Sequence, residues 1–67
     1  MTNAMQRATE IAAKASAEYQ WLQAVCFDAQ RALPWVCVDC RNGTIHTFKN
    51  VDDARYYAET NRIAFYL

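Results

Sequence analysis

Cys37-Val38-Asp39-Cys40 is the stretch whose residue types and spacing come closest to a chemical site. With Cys26 upstream and His46 downstream it completes a three-cysteine, one-histidine donor set of the kind that holds structural zinc. Two features weigh against that use. In an extended strand Cys37 and Cys40 point to opposite faces, because successive side chains alternate. Val38 and Asp39 between them also supply no Gly or Pro to turn the backbone. Thiol redox chemistry would want the pair at the opening of a helix, where the dipole lowers the thiol pKa, whereas the residues that follow read as a turn. Cys40, His46 and Asp39 could form a nucleophilic set, but all three lie on one hairpin without a pocket wall. The three cysteines are therefore expected as free thiols acting as small hydrophobes. No catalytic residues, metal or cofactor are expected, and Cys26, Cys37, Cys40 and His46 stand as the metal-binding alternative. No Gly-rich phosphate loop, serine elbow or paired-carboxylate cleft is present, so the chain is not expected to be an enzyme.

The elements that would position these residues divide the 67-residue sequence in two. Residues 1–33 read as one long helix of about 45 Å. They contain neither Gly nor Pro, are rich in Ala and Gln, can be capped by Thr2 or Asn3, and stop at Pro34. Met5, Ala8, Ala12, Ala15, Tyr19, Leu22, Cys26, Ala29 and Leu33 recur in steps of three and four, the spacing of a coiled-coil seam. Ile11, Trp21 and Val25 widen that seam. Two readings of the seam follow: an amphipathic helix whose C-terminal half packs on a small sheet, or an Ala-rich first half, Met5, Ala8, Ala12, Ala15 and Tyr19, that overhangs the domain and pairs with a second copy or a partner.

Residues 34–67 read as a ββαβ unit. Trp35 to Cys40 and Thr44 to Phe48 are strands joined at Asn42-Gly43, a strong hairpin signal. A two-residue turn pairs Arg41 with Thr44 and puts Val36, Val38, Cys40 and Ile45 on one face. A three-residue loop pairs Cys40 with Thr44 and gathers Val36, Val38, Cys40, His46 and Phe48. The second is preferred because it carries Phe48 into the core. Asn50 caps a helix with Asp52 and Asp53 in its first turn; Val51, Ala54, Tyr57 and Ala58 face inward, and Asn61 ends it. Ile63, Phe65 and Leu67 alternate as a last strand. The expectation is a single α+β domain of order αββαβ, with a three-stranded sheet in the order 2-1-3.

Composition narrows function by exclusion. Seven Lys and Arg balance seven Asp and Glu, which disfavours a basic nucleic-acid binder. No apolar run is long enough for a membrane span. The polar N-terminus is no secretory signal, and an odd cysteine number fits a reduced, cytoplasmic setting. Nine aromatic residues exceed what a small core absorbs. Tyr56, Tyr66 and Trp21, with Arg55 and Arg62 nearby, have the composition of a protein-binding surface. In length, single α+β domain, absence of a catalytic set and an Asn50-led helix after a hairpin, the chain resembles in format the small inhibitors carried by bacteriophages and other mobile elements, such as anti-CRISPR proteins. That resemblance carries no residue roles. It implies a non-enzymatic inhibitor or accessory factor that occludes a protein partner, with homodimerisation through the helix seam. The alternatives are the zinc-binding interaction module, or a homodimeric regulator or weak nucleic-acid-associated factor.

Overall fold

Val36 to Cys40 is a run of five fully buried residues. A strand buried on one side alternates; a continuous buried run requires cover on both. The computed structural model, which describes residues 4–67, supplies that cover. Its elements are α1 (Ala4–Ala12), β1 (Trp21–Phe27), β2 (Trp35–Asp39), β3 (Thr44–Phe48), α2 (Val51–Thr60) and β4 (Ala64–Tyr66). The fold is α+β, with a four-stranded mixed sheet in the order β3-β2-β1-β4. β1 and β3 are both antiparallel to β2, and β4 runs parallel to β1. On one face α1 contributes Ala8 to a cluster with Val36, Val38 and Cys40, flanked by Ile11, Trp21, Val25 and Ile45. On the other, Ala54 and Ala58 of α2 pack on Leu22 and Cys37, flanked by Phe48, Tyr57, Ile63 and Phe65.

The long helix over residues 1–33 is not formed, and this is the main correction to the sequence reading. The helix ends at Ala12, where the chain tightens through Lys14 N–H to Ile11 O and Ala15 N–H to Ala12 O. Ser16 N–H then bonds to Cys40 O at 3.0 Å, which turns the chain onto the sheet. Residues 21–27 become β1 instead of helix. Ala and Gln content is a weak prior that tertiary context overrides. Trp21, Val25 and Phe27 suit a strand, and as β1 the segment is paired on both sides. A bulge between Ala24 and Cys26 disturbs its alternation and helps the segment imitate helical spacing. The expected order 2-1-3 changes for the same reason, since β1 is inserted between β2 and the last strand. The cap expected from Thr2 or Asn3 lies outside the described residues.

The hairpin takes neither expected register. Asp39 pairs with Thr44 and Cys37 with His46. Asn42 and Gly43 N–H both bond to Asp39 O, and Gly43 has φ +77°. Val36 and Val38 share a face with Ile45, while His46 and Phe48 lie on the face with Cys37. A sheet with one buried face would bring Phe48 in beside the valines; with helices on both faces, Phe48 is half-buried on the α2 side without joining them. A Cβ added at Gly43 would lie 2.7 Å from Ala12 O, so this turn also seats the end of α1.

α2 follows its sequence signals. Asn50 Oδ1 accepts from Asp53 N–H at 2.9 Å, and Ala54 and Ala58 are buried. At the other end Asn61 is the last cap residue, and Arg62, not Asn61, enters the left-handed region at φ +56°. Ile63 N–H bonds to Ala58 O and Arg62 N–H to Glu59 O, the pairing of a Schellman motif.

Candidate functional site

Asp39 is the only buried charged or polar residue among those described, at 0% exposure. A buried carboxylate must find donors, and this one finds four. Arg41 gives its backbone N–H at 3.1 Å and Nε at 3.0 Å to Oδ1, and a terminal nitrogen at 2.6 Å to Oδ2. Tyr57 Oη donates to Oδ2 at 2.9 Å. The Arg41 hydrogen bond, ahead of an opposing burial effect, holds the Asp39 carboxyl below its ordinary range. Burial, then Asp39 beside it, pushes the Tyr57 phenol up. Arg41 also donates to Asn61 Oδ1 at 3.2 Å, and Asn61 Nδ2 donates to Tyr57 O. The ion pair thereby ties β2 and its turn to the end of α2.

The same network assigns the tautomer of His46. Tyr57 Oη spends its one proton on Asp39, and Thr44 Oγ1 spends its own on Asn42 Oδ1 at 2.8 Å. Both oxygens lie next to His46 Nε2, at 3.2 and 2.8 Å. Only an Nε2 carrying hydrogen satisfies both. The ring is held between Tyr57, 4.6 Å between centroids, and Phe48 at 6.3 Å. Asp39 has no free lone pair aimed at a substrate, and His46 is occupied at Nε2. The arrangement braces the fold.

The sequence-derived metal set is not gathered. Cys26 and Cys40 belong to the α1-side cluster, whereas Cys37 and His46 lie on the α2 side. Among the described residues no group of three or more His, Cys, Asp or Glu could hold a metal ion. The nucleophilic grouping fails in the same way, since Cys40 is across the sheet from His46 and Asp39. Burial, with Cys26 as a second cause, pushes the Cys37 thiol up to about 11, and burial likewise raises Cys40. Neither suits a nucleophile, which needs its thiolate form.

The expected dimer seam dissolves for a concrete reason. Ala8 is fully buried against the sheet and cannot meet a second copy, and Ala12 packs, half-buried, on the same cluster. Met5 remains 37% exposed, Ala15 is half-buried beside Gly43, and Tyr19 lies outside the helix. Tyr19 joins instead a surface that only half of the sequence reading anticipated. Its ring lies 5.1 Å from Trp21, and Trp21 lies 5.7 Å from Tyr66. Tyr19 and Tyr66 are 41% and 52% exposed, and Trp21 Nε1 is buried with no hydrogen-bond partner among the described residues.

Of the residues expected to bind a partner, Trp21 and Tyr66 are thus brought together. Arg55 reaches the same edge from the α2 side, with its guanidinium 5.9 Å from the Phe65 ring centroid. Arg62 is exposed at the turn into β4. Tyr56 stands apart on the outer face of α2, 68% exposed and with no ring or hydrogen-bond partner among the described residues. Sequence reasoning missed Arg41 and the polar role of Tyr57; the signal was Asp39 itself, a carboxylate inside an apolar strand that had to be answered. No helix among the described residues is long and apolar enough to cross a membrane. Comparison with family models, curated proteins and solved structures finds no match.

Proposed function

We propose that this chain is a non-enzymatic protein-binding module, an inhibitor or accessory factor that acts by covering part of another protein. Tyr19, Trp21 and Tyr66 form the centre of its contact surface, and Arg55 and Arg62 form the rim. The observation that carries this reading is the aromatic strip at the β4 edge, where the exposed rings of Tyr19 and Tyr66 flank Trp21. Aromatic side chains with flanking Arg dominate binding energy at interfaces.

Two further features support it. Arg62 holds a left-handed conformation at a position where Gly is favoured, so folding alone does not account for an arginine there. The groups capable of chemistry are either saturated, as in Asp39, or pushed toward an unreactive form, as in Cys37. A photo-crosslinking amino acid at position 66 is expected to form covalent protein adducts in extracts of the source cell, and the same group at exposed Gln30 is expected to form none. Equal labelling from both positions, or none from position 66, refutes the reading.

A further inference from the structure

The β4 edge ends the sheet with its backbone unpaired. Ala64 N–H bonds inward to Gln20 O of the segment entering β1. Backbone groups alternate in direction along a strand, so the N–H and C=O of Phe65 point outward from the sheet. Edge strands are ordinarily protected by charge, by Pro or by cover from another segment. Here Ile63-Ala64-Phe65-Tyr66-Leu67 has no charged side chain and no Pro. No loop backbone group among the described residues bonds to Phe65.

We infer that the surface proposed above is completed by a second copy of this chain, whose β4 pairs antiparallel with this one across a two-fold axis at Phe65. This rests on the protein-binding reading, because the pairing joins the two aromatic strips into one contact surface. The β4 edge is self-complementary. In an antiparallel sheet a hydrogen-bonded residue pair exchanges both N–H···O bonds, so the outward groups of Phe65 are satisfied by those of the partner's Phe65. That register sets Tyr66 opposite the partner's Ala64, and Leu67 opposite the partner's Ile63. Leu67 is the most exposed large hydrophobic side chain described, at 73%, and it gains an apolar neighbour. On the other face Ala64 separates Trp21 from the partner's Tyr66, and its small side chain leaves room for that ring to lie over it. Charge permits the approach, because the chain is net neutral and residues 63–67 have no charged side chains. Arg55 sits over Phe65 with Asp52 4.0 Å away, and Arg62 stands at the turn before the strand, outside the paired residues.

Sedimentation equilibrium tests this directly. The chain is expected to show a reversible monomer–dimer equilibrium between micromolar and millimolar concentration. Methylation of the Phe65 amide nitrogen in a synthesised chain removes only an outward donor, so it is expected to weaken association at least tenfold with an unchanged melting temperature. If that chain fails to fold, Ala64→Lys on the exposed strand face provides the same readout. Mixing Ala64→Cys with Tyr66→Cys is expected to give a crossed disulfide between positions 64 and 66, since residues facing each other in such a pair lie within disulfide reach. A monomer at every concentration overturns the inference, as does a dimer indifferent to both edge variants. Where a monomeric chain still crosslinks to a different protein from position 66, only the second-copy assignment falls. Where it crosslinks to nothing, the protein-binding reading falls with it.

Discussion

Asp39 and Trp21 sit on neighbouring strands, and they differ in how their polar atoms are answered. Asp39 is buried at the β2–β3 side with four donors on two oxygens. Trp21 is at the β1–β4 side with a buried N–H that meets no acceptor among the described residues. The first region is closed: carboxylate, guanidinium, phenol and amide satisfy one another and bind α2 to the sheet. The second is open, with aromatic rings half in water beside an unpaired strand edge. The difference separates what holds this small fold together from what it presents outward.

The comparison is sharpest where it predicts opposite responses to substitution. Arg41→Ala leaves the Asp39 charge buried with Tyr57 and one backbone amide, and is expected to cost about 3 kcal/mol or more. In a domain of this size that is a large share of total stability, so urea denaturation should show a largely unfolded chain or a strongly lowered midpoint. A loss below about 1 kcal/mol would mean that the ion pair does not brace the fold.

The pH dependence follows from the same groups. Asp39 is held below its ordinary range in the folded state, so its contribution is complete above the ordinary carboxylate value of about 3.9 and is lost as pH falls through the folded value. Cys37 is pushed from 9.0 to about 11, so its contribution is complete below 9.0 and is lost as pH rises toward that folded value. Thermal melts should give a plateau across neutral pH that falls on both sides, and Arg41→Ala should blunt the acid limb while leaving the alkaline limb in place.

Arg62→Gly is expected to stabilise by up to about 1 kcal/mol, because a left-handed residue with a Cβ is strained where Gly is not. The same variant should weaken binding, which separates this rim position from the brace. The smallest expected effect on stability is at the open region. Tyr66→Asp should shift stability by no more than about 0.5 kcal/mol, as exposed substitutions do, yet abolish self-association. If it unfolded the chain, the aromatic strip would be core and the contrast between the two regions would collapse.

The two halves of the chain were unequally legible. From Trp35 onward local signals agree with tertiary demand: β-formers, Asn42-Gly43, an Asn50 cap with acidic residues behind it, and a final alternation. β2, β3, α2 and β4 lie where these signals put them. Before Trp35 the local signals point to helix and the tertiary structure overrules them. The partners of Trp21–Phe27 are β2 and β4, the latter some forty residues further along the chain, and no local pattern records a non-local partner.

The candidate site divides along the same line. That the aromatics exceeded a small core followed from residue chemistry alone, whereas the burial of Asp39 required cover on the second face of the sheet. Which residues answered Asp39, and which aromatics were left outside, depended on register and on which sheet face each side chain took. The sequence by itself determined the α+β class, the C-terminal elements and the neutral, aromatic-rich surface, because those rest on propensity, capping and charge. The tertiary structure decided the fate of the N-terminal half, the hairpin register, the Arg41–Asp39–Tyr57 brace and the open β4 edge. These arise from pairings between residues distant in sequence, whose free energy is realised only when both partners are in place.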